Sequence, residues 1–131
     1  MTKRQEVLRD KLKKGGDIFR ETEALRAYIR ENEKISEGLH DPRLLGLIRE
    51  QNLELSQEYN KLLEVRAKID KCISALSDPE LKAILIMRYL GHVSTMDIAE
   101  SMNYGRNSIN RKHKAALDCI IEIGADKYLD Y

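Results

Sequence analysis

The chain has no tryptophan, one phenylalanine, two prolines and two cysteines among 131 residues. With so few aromatics, the 42% of apolar residues must be mainly aliphatic. A chain of this length can bury only a modest core, which suits one or two small helical units and excludes a large enzyme core. Cys72 and Cys119 lie 47 positions apart, each inside an apolar helical pattern, with no second Cys or His at ligand spacing. A disulfide framework and a zinc site are therefore not expected, and both residues read as buried free thiols. No apolar run approaches the ~20 residues of a membrane span, and no apolar leader follows the basic start. The expectation is a cytoplasmic protein. An excess of charge of one sign is missing too: 23 Lys and Arg stand against 22 Asp and Glu. Attraction to a polyanion must come from local patches.

What is present is punctuation between long helical patterns. Gly15-Gly16 is expected to break a first amphipathic run, Thr2 to Lys14, with Asp17 capping the next helix as far as Glu37. Gly38 should end that helix in a left-handed conformation. Asp41-Pro42 then supplies a cap and a first-turn proline, and Asp78-Pro79 repeats the device. Between the two pairs, Arg43 to Leu76 reads as one helix of about 51 Å. Its residues Ile48, Leu55, Tyr59, Leu62, Ile69, Ile73 and Leu76 alternate by four and three, with Asn52 and Arg66 as polar exceptions. The preceding helix offers Ile18, Thr22, Leu25, Ile29, Asn32 and Leu39. The two should form an antiparallel coiled-coil hairpin that pairs with a second copy, with Asn52 either setting register or marking a solvated end of the seam. The start, "KRQEVLRDKLKK", is strongly basic and reads as a solvated face, with phosphate contact as the alternative.

From residue 77 the spacing changes, so the expected division is 1–76 for the oligomerising hairpin and 77–131 for a small trihelical domain. "DPELKAILIMRYLGH" reads as a 12-residue helix ended by Gly91, with Leu81, Ile84, Leu85 and Leu90 inward. Ser94 and Asp97 mark a capping-box start for a short helix that buries Ile98, Ala99 and Met102. "NYG" is a tight turn. The last helix begins near Arg106 and buries Ile109, Ala116, Leu117, Ile120 and Ile121. Short helix, tight turn and longer helix, with small Ala99 at the close approach, make a helix-turn-helix pattern in an all-α fold.

The stretch "NYGRNSINRKHKAAL", Asn103 to Leu117, holds four fixed positive charges and no acid. Arg106, Asn107, Ser108, Asn110, Arg111 and Lys114 are the candidate DNA contacts, at the end of the helix that would enter a major groove. Arg suits guanine, Asn suits adenine, and Lys mostly holds phosphate. The free amides of the helix start favour phosphate as well.

"LSDPELKAILIMRYL" and "STMDIAESMNYGRNSINRKHKAAL" together resemble the C-terminal, promoter-reading domain of bacterial sigma factors, in the version carried by phage-encoded transcription regulators of the ArpU and RinA type. The shared pieces are the Asp-Pro opening, Met87 to Leu90, Asp97 to Glu100, and His113 to Leu117. The resemblance spans about 45 residues. It implies a sequence-specific DNA-binding protein, an activator of phage late or packaging genes, with Arg106, Asn107, Asn110, Arg111 and Lys114 on bases or phosphates. Two positions depart from the pattern: Asn103 stands where glycine is usual, and Lys112 where an apolar residue is usual. Nothing in residues 1–76 resembles the polymerase-binding region of a complete sigma factor.

An enzyme is not expected, because no nucleophile motif, nucleotide-binding glycine loop or paired metal ligands occur. Neither a cofactor nor a metal is expected. His40 sits in a turn and His92 in a loop; His113 is either near phosphate or a partly buried structural residue. The expected partners are double-stranded DNA, a second copy of the chain and, further, RNA polymerase. Two other readings compete: a small DNA-packaging subunit assembled as a ring, and a coiled-coil adaptor that binds polymerase or another protein through the hairpin.

Overall fold

The computed structural model describes residues 1–131 and is all-helical. Helix α1 spans Lys3–Glu37 and α2 spans Pro42–Ser74. Then come α3 (Pro79–Leu85), a π-helical turn (Ile86–Leu90), α4 (Thr95–Met102), α5 (Arg106–Ile123) and a closing 3-10 turn (Ala125–Tyr128). No helix is long and apolar enough to cross a membrane.

Local chemistry accounts for most of the boundaries. Thr2 and Gln5 cap α1 reciprocally: the Gln5 amide N–H donates to the Thr2 hydroxyl, and the Thr2 N–H donates to Gln5 Oε1 at 2.8 Å. Asp41 and Asp78 each accept from backbone amides two residues on, at 2.9 Å, with proline in the first turn behind them. Gly38 caps the end of α1 but with φ −91°, not in the left-handed region, because its N–H reaches the Ile35 and Ser36 carbonyls without that twist.

The largest departure from the sequence reading is at Gly15-Gly16, where α1 continues unbroken and Asp17 caps nothing. The glycines serve close approach instead. A Cβ on Gly15 would overlap the Ile69 side chain and stand 2.5 Å from the Tyr131 hydroxyl; one on Gly16 would overlap the Tyr89 carbonyl oxygen. The roughly 1 kcal/mol that each glycine costs in helix propensity is offset by packing that no larger residue permits.

Helices α1 and α2 run side by side in opposite directions, joined by residues 38–41. Thr22 and Asn32 are buried between them, and Ile18, Leu25, Ile29, Leu55, Tyr59 and Leu62 are partly buried. Asn32 Nδ2 donates to Asn52 Oδ1 at 2.8 Å and to Gln51 Oε1 at 3.0 Å. Asn52 thus fixes the register between two helices of one chain. At the open end, Leu8 and Leu12 of α1 join Ile69, Cys72, Ile73 and Leu76, and the same cluster takes in Leu81, Leu85, Tyr89, Ala116, Leu117, Ile120 and Leu129. Packing is therefore continuous across residue 76. The end of the chain returns to α1, where Lys11 Nζ donates to the Leu129 carbonyl and the Tyr131 hydroxyl to the Lys11 carbonyl.

The expected 12-residue helix is instead seven residues of α-helix followed by the π-turn, in which the Gly91 N–H reaches the Ile86 carbonyl at 2.9 Å. Tyr89 lies within this turn and is buried, 4% exposed. Cys72 is buried but Cys119 only partly so; both are free. Leu90, Met102 and Ile121, expected inside, are partly buried at the rim.

Candidate nucleic-acid interface

Helices α4 and α5 are held together by a small aliphatic cluster, Ile84, Ile98, Ala99 and Ile109, with Met87, Val93 and Met102 around it. The Ser94 hydroxyl accepts from the Asp97 N–H at 3.2 Å to start α4. Asn103 ends it in the left-handed conformation, φ 57°, and the Tyr104 N–H reaches the Ala99 carbonyl at 2.9 Å. Asparagine tolerates that backbone better than most residues, so the turn closes without glycine. Three residues, 103–105, separate the two helices.

Gly105 is the N-cap of α5 and brings no side-chain hydrogen bond, and no acid stands in the first turn. The first amides of this 18-residue helix thus end uncapped by any side chain, at the positive end of its dipole. Arg106, Asn107, Asn110, Arg111 and Lys114 are all exposed, and Ser108 is partly so. Asn107, Ser108, Arg111 and Lys114 lie on the side of α5 away from Ile109, His113, Ala116, Leu117 and Ile120, Asn110 flanks that side, and Arg106 is exposed in the first turn, in line with the buried residues farther along. An Arg111 guanidinium nitrogen donates to the Ser108 hydroxyl at 3.3 Å, which lays that side chain along the helix surface. None of Arg106, Arg111 and Lys114 forms a salt bridge.

The fourth positive charge of the stretch behaves differently. Lys112 forms a salt bridge with Glu80 Oε1, and its ammonium lies 4.8 Å from the centre of the Tyr104 ring. The Tyr104 hydroxyl donates to Glu80 Oε2 at 2.9 Å. The hydrogen bond from Lys112, followed by that from Tyr104, holds the Glu80 carboxyl below its usual range, and the same carboxylate raises Lys112. Lys112 thereby clamps α5 and the turn to the start of α3.

His113 is a structural residue. It is 2% exposed, with Nε2 2.6 Å from the Tyr89 hydroxyl, and burial, with the Arg88 and Arg9 charges beyond it, pushes it down to about 4. The imidazole is neutral at physiological pH, and its tautomer sets which of Nε2 and the Tyr89 hydroxyl donates in this hydrogen bond. His92 Nε2 donates to the Gly16 carbonyl at 2.9 Å, from a backbone in the left-handed region at φ 53°. His40 is exposed beside the hairpin turn. No cluster of three or more His, Cys, Asp or Glu side chains is arranged to hold a metal ion.

No family model, curated protein or solved structure matches the chain.

Proposed function

We propose that the chain is a sequence-specific double-stranded DNA-binding transcription regulator, with α4, the 103–105 turn and α5 as a helix-turn-helix unit that places α5 in the major groove. The observation that carries this reading is the exposed, acid-free N-terminal half of α5. Three unpaired cations and two carboxamides project from the first three turns, beside uncapped helix amides and with no acid among them. That combination offers base-edge hydrogen bonding and phosphate attraction from one rigid surface. Late or packaging genes of a phage are the proposed targets, on the resemblance described above.

A second copy of the chain completes the proposal. Ile35, Leu44 and Leu47 lie exposed near the closed end of the hairpin, at 47%, 46% and 57%. Pairing there would present two α5 helices to half-sites about 10 bp or a multiple apart. One good paired base contact gives only ~1–3 kcal/mol of discrimination, so a lone unit would select poorly. RNA polymerase is proposed as a further partner of the hairpin.

Titration of duplex DNA by fluorescence anisotropy at several salt concentrations tests the assignment. Lys114→Ala should weaken binding on all sequences and reduce the salt slope by about one, whereas Asn110→Ala should relax the choice of base at one position. Loss of neither property in either variant would overturn it.

A further inference from the structure

A second charged surface lies away from the outer face of α5. Arg9, Lys13 and Arg20 occur on α1 at intervals of four and seven residues, so they share one side of the helix, about 6 Å and about 10 Å apart along its axis. Opposite them stand Arg88 and Tyr89 of the π-turn and His92 and Val93 of the following link. Together with Asp10 and Asp17 these residues line a cleft of about 470 Å³, within the size range of small-molecule sites.

Three features make this cleft more than a gap between helices. Gly16 brings α1 against the Tyr89 carbonyl, so the two elements that line the cleft meet backbone to backbone. The wall opposite α1 contains the π-turn and left-handed His92, two uncommon backbone conformations that cluster at functional sites. The charges are also unevenly matched. Arg9 pairs with Asp10 at 3.3 Å, while Lys13, Arg20 and Arg88 form no salt bridge. Three unpaired cations thus converge on the cleft, with Asp17 as the one acid left over.

A duplex backbone would fit this lining poorly, because Asp17 would face an unbroken row of phosphates. A discrete ligand with both anionic and hydrogen-donating groups satisfies both kinds of side chain. We propose that the cleft binds a small phosphorylated molecule bearing at least two negative charges, with its phosphates on Lys13, Arg20 and Arg88 and its hydroxyl groups on Asp17. This site is independent of the DNA-binding reading of α5.

Isothermal titration of the full chain with inorganic pyrophosphate at low salt tests the proposal. The expected result is saturable 1:1 binding, weakened roughly tenfold or more in Lys13→Gln/Arg20→Gln, the loss that follows from removing two charge-assisted contacts, and unchanged in Arg106→Gln. Lys13 and Arg20 are exposed, so the double variant should melt like the parent. Arg88→Gln, checked by the same melting curve, provides the opposite wall. Absence of saturable binding, or equal affinity in the double variant, would overturn the proposal. So would displacement of pyrophosphate by a non-specific duplex in the wild type but not in Arg106→Gln/Arg111→Gln, which would mean that the cleft is occupied by DNA held on α5.

Discussion

Gly16 packs against the backbone carbonyl of Tyr89 so closely that a single added methyl group would overlap the oxygen. This contact decides what a glycine in the middle of a long helix means. If Gly16 only weakened α1, alanine there would add roughly 1 kcal/mol of stability. The packing predicts the opposite sign: Gly16→Ala should destabilise by about 2–3 kcal/mol, because the atom it meets is backbone and cannot rotate away. Thermal unfolding should show a midpoint lowered by roughly 10 °C. Gly15→Ala should cost less, since the Ile69 side chain and the Tyr131 hydroxyl have more freedom to move.

The Tyr89–His113 pair makes stability depend on pH. His113 is held neutral down to about 4 in the folded chain, but takes up a proton near its ordinary value of 6.5 once unfolded. The unfolded state therefore binds more protons between those limits, and stability should fall as pH drops from about 6.5 to 4, by on the order of 2–3 kcal/mol, then level off for this group. His113→Gln keeps a hydrogen-bonding group for Tyr89 without a titrating ring and should flatten the slope in that window, as followed by urea unfolding at stepped pH. On the alkaline side, burial pushes Tyr89 up to about 12 from 10.0. Its contribution is complete below pH 10 and should be lost as pH rises toward 12.

Asn32 and Asn52 predict a smaller effect in the hairpin. Asn32 is 7% exposed and donates to both Asn52 and Gln51. Asn32→Ala should cost about 1–2 kcal/mol, because it leaves the partly buried Asn52 acceptor without its donor. Asn32→Leu/Asn52→Leu should recover most of that loss while weakening the register preference. Amide exchange along α1 and α2 would detect the weakened register.

If two chains pair through the hairpin tip, sedimentation should give twice the chain mass of 15.2 kDa. Leu44→Asp/Leu47→Asp should return the protein to a monomer with unchanged helicity, since both side chains are exposed in the single chain. A wild-type monomer at high micromolar concentration would remove the pairing step.

The features readable from the sequence were those decided within a few residues. The Asp-Pro starts, the Ser94 cap, the left-handed Asn103 and the inner side of α5 all follow from local capping, backbone preference and helical spacing. Gly15-Gly16 was misread because a breaker and a close-contact glycine look alike locally; Ile69, Tyr89 and Tyr131 decide between them from far along the chain. The π-turn was hidden for a similar reason, since one extra residue does not disturb a short apolar pattern until Tyr89 has a place to go. On α5 the exposure of Asn107, Arg111 and Lys114 follows from spacing, whereas that of Arg106 follows from its place in the first turn. The role of Lys112 was not legible, because Glu80 and Tyr104 reach it only after folding. Convergence of Lys13, Arg20 and Arg88 likewise needed the tertiary contact at Gly16.

The central claim is that the exposed Arg and Asn side chains of α5 read DNA sequence, and selection of bound fragments from a random duplex pool tests it most directly. Variants should be compared with Arg30→Ala, since Arg30 is exposed on α1 and makes no salt bridge. Arg4 is unsuitable as that control, because it holds Asp126 through two hydrogen bonds of 3.0 and 3.2 Å. The account predicts one enriched motif, and a loss of about 1–3 kcal/mol on that motif in Arg111→Ala that Arg30→Ala does not share. No enriched motif, or equal losses in the two variants, would contradict it.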